Sequence, residues 1–421
     1  MTSVGIVGAG TAGLHLGLQL RQAGIPVTIY TNRTAEQVGA GRLPNSVAHH
    51  AVTIEREQRL GVDHWPVEEY GYDSHHHYFG LPEPIVFRGD FPRRSRAIDY
   101  RIYQPSLMAD FEDRGGVIEI RDVDVPDLEG LSEKHDLLTV ASGKFTLGQF
   151  FGPAEGRQPL PGPLRRLQVG LWRGIAPNDP KGVSIAASPG HGDLLEIPIY
   201  SFAGHVTALL FENVPGGALE KLVDVKHDDD PAAFRQMVLD VLREHYPLTF
   251  ARVDEAEFEL TSPNDLLQGQ FTPTLRGDYG QLDNGRYVLA VGDIHSTLDP
   301  IVGQGANSAS YSAQVVGDTV LEDQTFDLRF MRKVAERRRN RVEAAFDWSN
   351  LMAGPPPGHL LQLVGAMSQD QDLRNEFTWN FNFPDRQWDI LATPERTAAA
   401  IARSAAHAAA NAAENGEPIH A

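Results

Sequence analysis

Two glycine-bearing stretches hold the residues whose types and spacing could do chemistry. The first, Val4 to Gly13, reads Val-Gly-Ile-Val-Gly-Ala-Gly-Thr-Ala-Gly, so Gly8, Gly10 and Gly13 form a G-x-G-x-x-G pattern. In that pattern Gly8 makes a tight turn, Gly10 admits a pyrophosphate to the backbone, and Gly13 lets a helix pack on a strand. The helix N-terminus presents free N–H groups to the anion, with Thr11 and Ala12 in the same turn. A buried strand precedes the motif and the apolar run Leu14, Leu16, Leu18, Leu20 follows it, which is the context a dinucleotide site requires. The second stretch is Gly292-Asp293-Ile-His295, continuing Asp299-Pro300-Ile-Val-Gly303-Gln304-Gly305-Ala306-Asn307. Asp293 stands at the C-terminal end of a buried strand, where α/β folds bind ligands. Pro300 begins a loop, and Gly303 to Asn307 open a helix whose first turn carries partial positive charge.

Other positions gather around these two. Val27 to Thr31 reads as the second strand of a βαβ unit, and its end usually carries an acid for the adenosine ribose. Here that place falls on Thr31, followed by Asn32 and Arg33. Thr31 can accept one hydrogen bond, and Arg33 could reach a phosphate, either of the dinucleotide or of a 2′-phosphate. Arg42 follows Gly39-Ala-Gly and is a candidate phosphate partner or a surface cation. Gln104 is polar within the apolar stripe of a helix expected over Arg96 to Arg114, either a cofactor contact or an exposed residue. Ser142-Gly143 ends another buried strand, as expected near a nucleotide. In His75-His76-His77 an extended backbone puts His75 and His77 on one face and His76 on the other. Carboxylates at ligand spacing are not evident there, so histidines lining a half-polar cavity are favoured over a metal site.

The elements that must position these residues sort into three regions. A discontinuous nucleotide-binding domain is expected over 1–71, 96–163 and 275–341. A sheet-rich substrate domain is expected over 72–95 and 164–274, and a helical region with a frayed tail over 342–421. The 421 residues suffice for two domains, and 41% hydrophobic residues fill their cores. A formal net charge of −19 argues against nucleic acid. Cysteine is absent, which excludes disulfides and thiolate metal sites. No apolar run approaches a membrane span and no leader is evident, so a cytoplasmic protein without membrane attachment is expected.

The two motifs together resemble the flavoprotein monooxygenases of the aromatic hydroxylase plan, whose late element reads G-D-x-x-H-x-x-x-P-x-x-G-Q-G-x-N. Every position matches except the histidine, since Ser296 holds its slot and His295 comes one place early; His295 is assigned no role. Longer strings are similar to the oxygenase component of the two-component styrene/indole monooxygenase family. They are Leu43-Pro-Asn-Ser-Val-Ala-His-His-Ala-Val-Thr53, Ser95-Arg-Ala-Ile-Asp-Tyr-Arg-Ile-Tyr-Gln-Pro105, Ser188-Pro-Gly-His-Gly192 and Glu376-Phe-Thr-Trp-Asn-Phe-Asn-Phe-Pro384. The likeness runs to about Arg396.

The resemblance implies an α/β fold with a Rossmann-like FAD-binding domain, a sheet-rich substrate domain and a C-terminal helical region. It implies reduced FAD supplied by a separate NADH-dependent flavin reductase, reaction with O2 through a C4a-hydroperoxyflavin, and epoxidation of styrene-like alkenes. A reduced flavin carries negative charge at its N1–C2 edge, which the helix opening at Gly303 would stabilise. The missing acid at Thr31, and Ser142-Gly143-Lys144 where self-sufficient hydroxylases carry an Asp-Gly element, suit a flavin that is exchanged. Styrene-type members tend to have Asn, Val, His, Tyr, His and Ser at six pocket positions, aligned here with Asn45, Val47, His49, Tyr72, His75 and Ser95. Ordinary core packing would equally account for Val47 and Tyr72. Asn45, His49 and His75 are the candidates for hydrogen-bonding the activated oxygen. A homodimer is expected of the family. Indole oxidation, or flavin binding without turnover, would fit the same sequence.

Overall fold

The computed structural model describes residues 2–415, with side chains to 410. The tail expected to fray beyond 415 lies outside the described residues. Strand β1 (Val4–Val7) is wholly buried and leads into helix α1 (Thr11–Gln22). Leu14, Leu16, Leu18 and Leu20 have no exposed surface, although their two-residue spacing would place them on several sides of a helix. A helix that is apolar all round must be buried all round. α1 meets this by lying between the sheet, helix α3 (Tyr100–Asp113) and helix α5 (Gly305–Glu322), sharing one core with Ile29, Phe111 and Val316.

The first sheet has six strands. β1 sits between β2 (Val27–Thr31) and β7 (Leu137–Val140), parallel to both, with Val4 opposite Val27 and Leu137. β6 (Val117–Ile120) extends one side, and β15 (Tyr287–Ala290) with antiparallel β14 (Tyr279–Gln281) extends the other. The C-terminal ends of β1, β7 and β15 therefore lie side by side, which brings both glycine motifs to one edge.

The second sheet has eight strands in the order β12-β8-β11-β10-β9-β4-β5-β3. They are β3 (Ala48–His49), β4 (Gly71–Phe79), β5 (Ile85–Ala97), β8 (Arg166–Trp172), β9 (Gly182–Ser188), β10 (Gly192–Ser201), β11 (Gly204–Asn213) and β12 (Leu266–Gly269). Only the β4–β9 pair is parallel. The outer face packs on helix α4 (Pro231–His245) through Leu209, Phe211 and Phe234. The inner face meets Trp348 of helix α6 (Leu328–Ala353) and the helices Gly358–Met367, Gln371–Trp379 and Pro384–Leu391. A last helix spans Pro394–Asn415. Among the described residues no helix is long and apolar enough to cross a membrane.

The helix expected from Arg96 begins later, at Tyr100. Arg96 is still paired in β5, and the Asp99 carboxylate caps the helix by accepting from the Arg101 N–H at 2.9 Å.

β4 and β5 do not keep one register. Tyr72 lies opposite Ser95, yet Ser74 lies opposite Asp90, so Asp73 alone faces residues 91–94. Side chains alternate along a regular strand, and Tyr72 and His75 would then point to opposite faces. The bulge resets the alternation, and both side chains reach the inner face.

A Cβ on Gly13 would sit 2.0 Å from the Gly8 carbonyl oxygen, so the β1–α1 junction admits only hydrogen there. Gly13→Ala is expected to destabilise the fold by about 1–3 kcal/mol or more, read as a lower denaturant midpoint.

Candidate active site

Gly8 adopts φ +112°, and its N–H donates to the Tyr30 carbonyl at 2.8 Å. Gly10 caps α1 without any side-chain hydrogen bond, and a Cβ placed on it would meet no protein atom within 4 Å. Gly13 is therefore needed by the fold, whereas Gly10 leaves room in front of the helix N-terminus. That is the room a pyrophosphate needs. Gly292 (φ +71°) brings the second motif against the first, since its Cβ would lie 2.8 Å from the Ala12 Cβ. Asp293 beside it is open to solvent but walled by protein; this desolvation raises its carboxyl pKa, and Arg276 opposes the shift. Thr31 is buried at the end of β2, with Asn32 and Arg33 exposed beyond it, and Ser142-Gly143 follows β7 against Gly8.

Four expected cofactor contacts stand differently from the sequence reading. Arg42 is exposed and pairs with Asp228 at 3.2 Å, so its charge is directed to the surface of the second sheet's loops. Gln104 donates to the Ala9 carbonyl at 2.8 Å and braces the glycine turn from behind. Gln304 is fully buried and donates to the carbonyls of Val302 and Phe381. Asn307 is also buried: its Oδ1 accepts from the His50 N–H (3.0 Å) and the Thr53 hydroxyl (2.7 Å). Its Nδ2 donates to the carbonyls of Ala48 (2.9 Å) and Gly303 (2.7 Å). Both amides shape the loop; Asn307 has no bonding capacity left for a ligand, whereas the buried Gln304 Oε1 is without a partner.

Between that loop and the inner face of the second sheet lies a cavity of about 100 Å³. Val183, Ile185, Leu195, Ile197 and Leu210 form its sheet wall; Val47, Tyr72, His75 and Phe381 close the sides; Pro300, Gly303 and Gly305 form the loop wall. An apolar cavity of roughly 150 Å³ holds benzene, so this space is of the order of a single aromatic ring and somewhat smaller than that one. Ser95 faces Tyr72 across the strands, but neither Ser95 nor Asn45 is part of the lining; Asn45 has a buried Oδ1 without a partner. His75 is buried, its Nδ1 is unpartnered, and burial with the neighbouring His77 holds its pKa well below the usual range. His76 points the other way and bonds the Pro180 carbonyl. Among the described residues no group of three or more His, Asp or Glu could share a metal ion.

His49 corrects the sequence reading. It pairs with Arg96 in register across β3 and β5, on the side away from the cavity. Its Nδ1 meets Glu57 of helix α2 (Ala51–Leu60) at 2.6 Å and its Nε2 meets the Tyr100 hydroxyl at 3.1 Å. Tyr103 donates to the same Glu57 oxygen, and Arg96 pairs with its other oxygen and with Asp63. Burial alone would raise the Glu57 carboxyl, but His49 and Arg96 outweigh it and hold it at about 2. The cavity instead receives His50, which the sequence reading left without a role. Alternation was the available signal, because of two adjacent histidines on an extended backbone only one can face inward.

A second buried charge cluster adjoins the cavity. Arg165 pairs with Asp193 at 2.9 Å, and Glu212 and Asp299 lie close by. Asp299 caps the turn Pro300–Val302, accepting from the Ile301 N–H at 3.1 Å. Burial pushes Asp193 and Asp299 up to about 6 and Glu212 further.

Over 93% of its length the chain is 47% identical to styrene monooxygenase StyA of a Pseudomonas species, covering 96% of that protein, and equally so to StyA of Pseudomonas fluorescens. The chain belongs to the styrene monooxygenase family. Residues 143–252 match the family model described as "Styrene monooxygenase A putative substrate binding domain", the stretch that holds β8 to β11. The fold is also that of a flavin-dependent brominase, Bmp2, with a TM-score of 0.67 at 14% identity, covering 90% of this chain and 94% of the other. Membership of the styrene monooxygenase family makes the chain a flavin-dependent monooxygenase.

Gly10→Ala separates folding from binding. Its unfolding midpoint should match the parent, while its affinity for FAD, measured by flavin fluorescence, should fall about tenfold or more. The raised carboxyls carry a pH signature. The folded chain holds more protons than the unfolded one between the ordinary carboxylate range and about pH 6, so these groups lose stability as pH rises through that window. Asp299→Asn should therefore gain stability relative to the parent between pH 4 and 7 in denaturant titrations.

Proposed function

We propose that this chain epoxidises styrene and related vinyl aromatics, taking FAD already reduced by a separate NADH-dependent flavin reductase. The observation that carries the proposal is the single-ring apolar cavity placed against the Pro300–Gly305 loop, in a chain 47% identical to styrene monooxygenases. Gly8 to Gly13 would hold the pyrophosphate, with Ser142-Gly143 beside it, Asp293 accepting from cofactor hydroxyls, and Thr31 to Arg33 at the adenosine end. The loop Pro300 to Gly305 and the N-terminus of α5 would face the isoalloxazine. When bound, the reduced flavin supplies the electrons that activate dioxygen, and one oxygen atom goes to the alkene while the other leaves as water.

The chain's own residues do the rest. The aliphatic wall from Val183 to Leu210 excludes water, which would otherwise divert activated oxygen to hydrogen peroxide. Val47, Tyr72 and Phe381 set the ring's position, so that the vinyl group lies toward the loop. Asn45 and His75 offer hydrogen bonds to oxygen, since a vinyl aromatic has no acceptor for them. In this division of labour, segments 1–71, 96–163 and 275–341 hold the cofactor and the second sheet supplies the substrate wall. The chain acts as a homodimer, to be read from light scattering.

The purified chain, chemically reduced FAD, oxygen and styrene should yield styrene oxide. NADH with oxidised FAD and no reductase should yield none. Reduced flavin that is oxidised with peroxide as the sole product would overturn the reading.

A further inference from the structure

We infer that His50 is a substrate-site residue whose ring nitrogen donates a hydrogen bond to the oxygen atom carried by the epoxide. The inference rests on the epoxidase reading above and adds a residue to it. His50 is 3% exposed, yet neither Nδ1 nor Nε2 has a hydrogen-bond partner within the protein. A buried imidazole with both nitrogens unpaired is costly, and such groups persist where another molecule supplies the partner. The ring lines the cavity and stands next to Gly303 of the loop. A Cβ on Gly303 would come 3.7 Å from His50 Nε2, and φ +61° there favours glycine, so this nitrogen stands at the boundary between the loop and the cavity.

His50 is held as a fixed group. Its N–H is anchored by Asn307 Oδ1, and its backbone caps α2 in an extended conformation. Its ring stands edge-on to Phe381, with centroids 6.0 Å apart, and His75 stands edge-on to the same ring at 4.5 Å. The two histidines thus stand on either side of Phe381 in a cavity whose sheet wall is aliphatic. No carboxylate contacts His50, in contrast to His49 with its Glu57 partner; the surrounding charged or titratable groups are His49, His75 and Arg341. Burial and these neighbours push its pKa down to about 3, so the ring is neutral and offers one donor and one acceptor. Styrene has no acceptor for that donor, whereas styrene oxide does. The donor therefore favours the oxygenated state of the ligand.

The test uses ligand binding to the flavin-free full chain by titration calorimetry, with styrene and styrene oxide as probes. His50→Leu should lose affinity for styrene oxide by about three- to tenfold while styrene binding stays within twofold. His50→Gln keeps a neutral donor of similar size and should retain most of the difference. Equal preference for the epoxide in His50→Leu and the parent would overturn the assignment. Where the Leu variant does not fold, imidazole ¹⁵N spectra of the unaltered chain decide: the His50 signal must shift on adding styrene oxide and not styrene. A parent chain that binds neither probe would sink the epoxidase reading itself, a different result from lost selectivity.

Discussion

The loop and the cavity depend on the side-chain amide of Asn307. With two bonds accepted and two donated, it ties Gly303, β3 and the start of α2 to the first turn of α5. No charged group could replace it, because a carboxylate lacks the two donors and an ammonium lacks the acceptor. The amide fixes the backbone of Ala48 and His50 together. On this fixed backbone His50 turns to the cavity and His49 of β3 to the charge network behind. An oxygen-handling cavity needs its polar groups few and fixed, and here one neutral residue fixes them without bringing charge inside.

Charge is kept near the site but out of it. Glu57, Arg96 and His49 form one buried network behind β3, and Asp193, Glu212, Asp299 and Arg165 form another at the far end of the sheet wall. The first is balanced, so its carboxyl stays ionised. The second carries more carboxyls than cations, so burial raises them. Between the two lie Leu195, Leu210 and Val47, and the walls there are aliphatic. Asp299 belongs to both worlds, as a member of the acidic cluster and as the cap of the turn that begins at Pro300.

The parts legible in the sequence are those in which a residue type is demanded locally. Gly8 and Gly13 are read directly because a backbone oxygen or a positive φ leaves no alternative. The strands that end at Thr31, Val140 and Ala290 announce themselves as buried runs, and His75 and His77 share a face as period two requires. The departures at the expected cofactor contacts involve partners far away in the chain. Arg42 is claimed by Asp228, and Gln304 by Phe381, which no local spacing reveals. His49 and His50 are identical neighbours, and only the pairing of β3 with β5 tells them apart.

The uneven pairing at Asp73 bears on how such a cavity can diversify. Because four residues of β5 face a single residue of β4, the facing of everything before Asp73 is decoupled from everything after it. Adding or removing one residue in the 91–94 segment need not disturb the histidine ladder, yet it can rotate Tyr72, which pairs with Ser95, out of the lining. A lineage could thus trade the Tyr72 end of its cavity for another by a change of length alone, leaving the histidine end untouched.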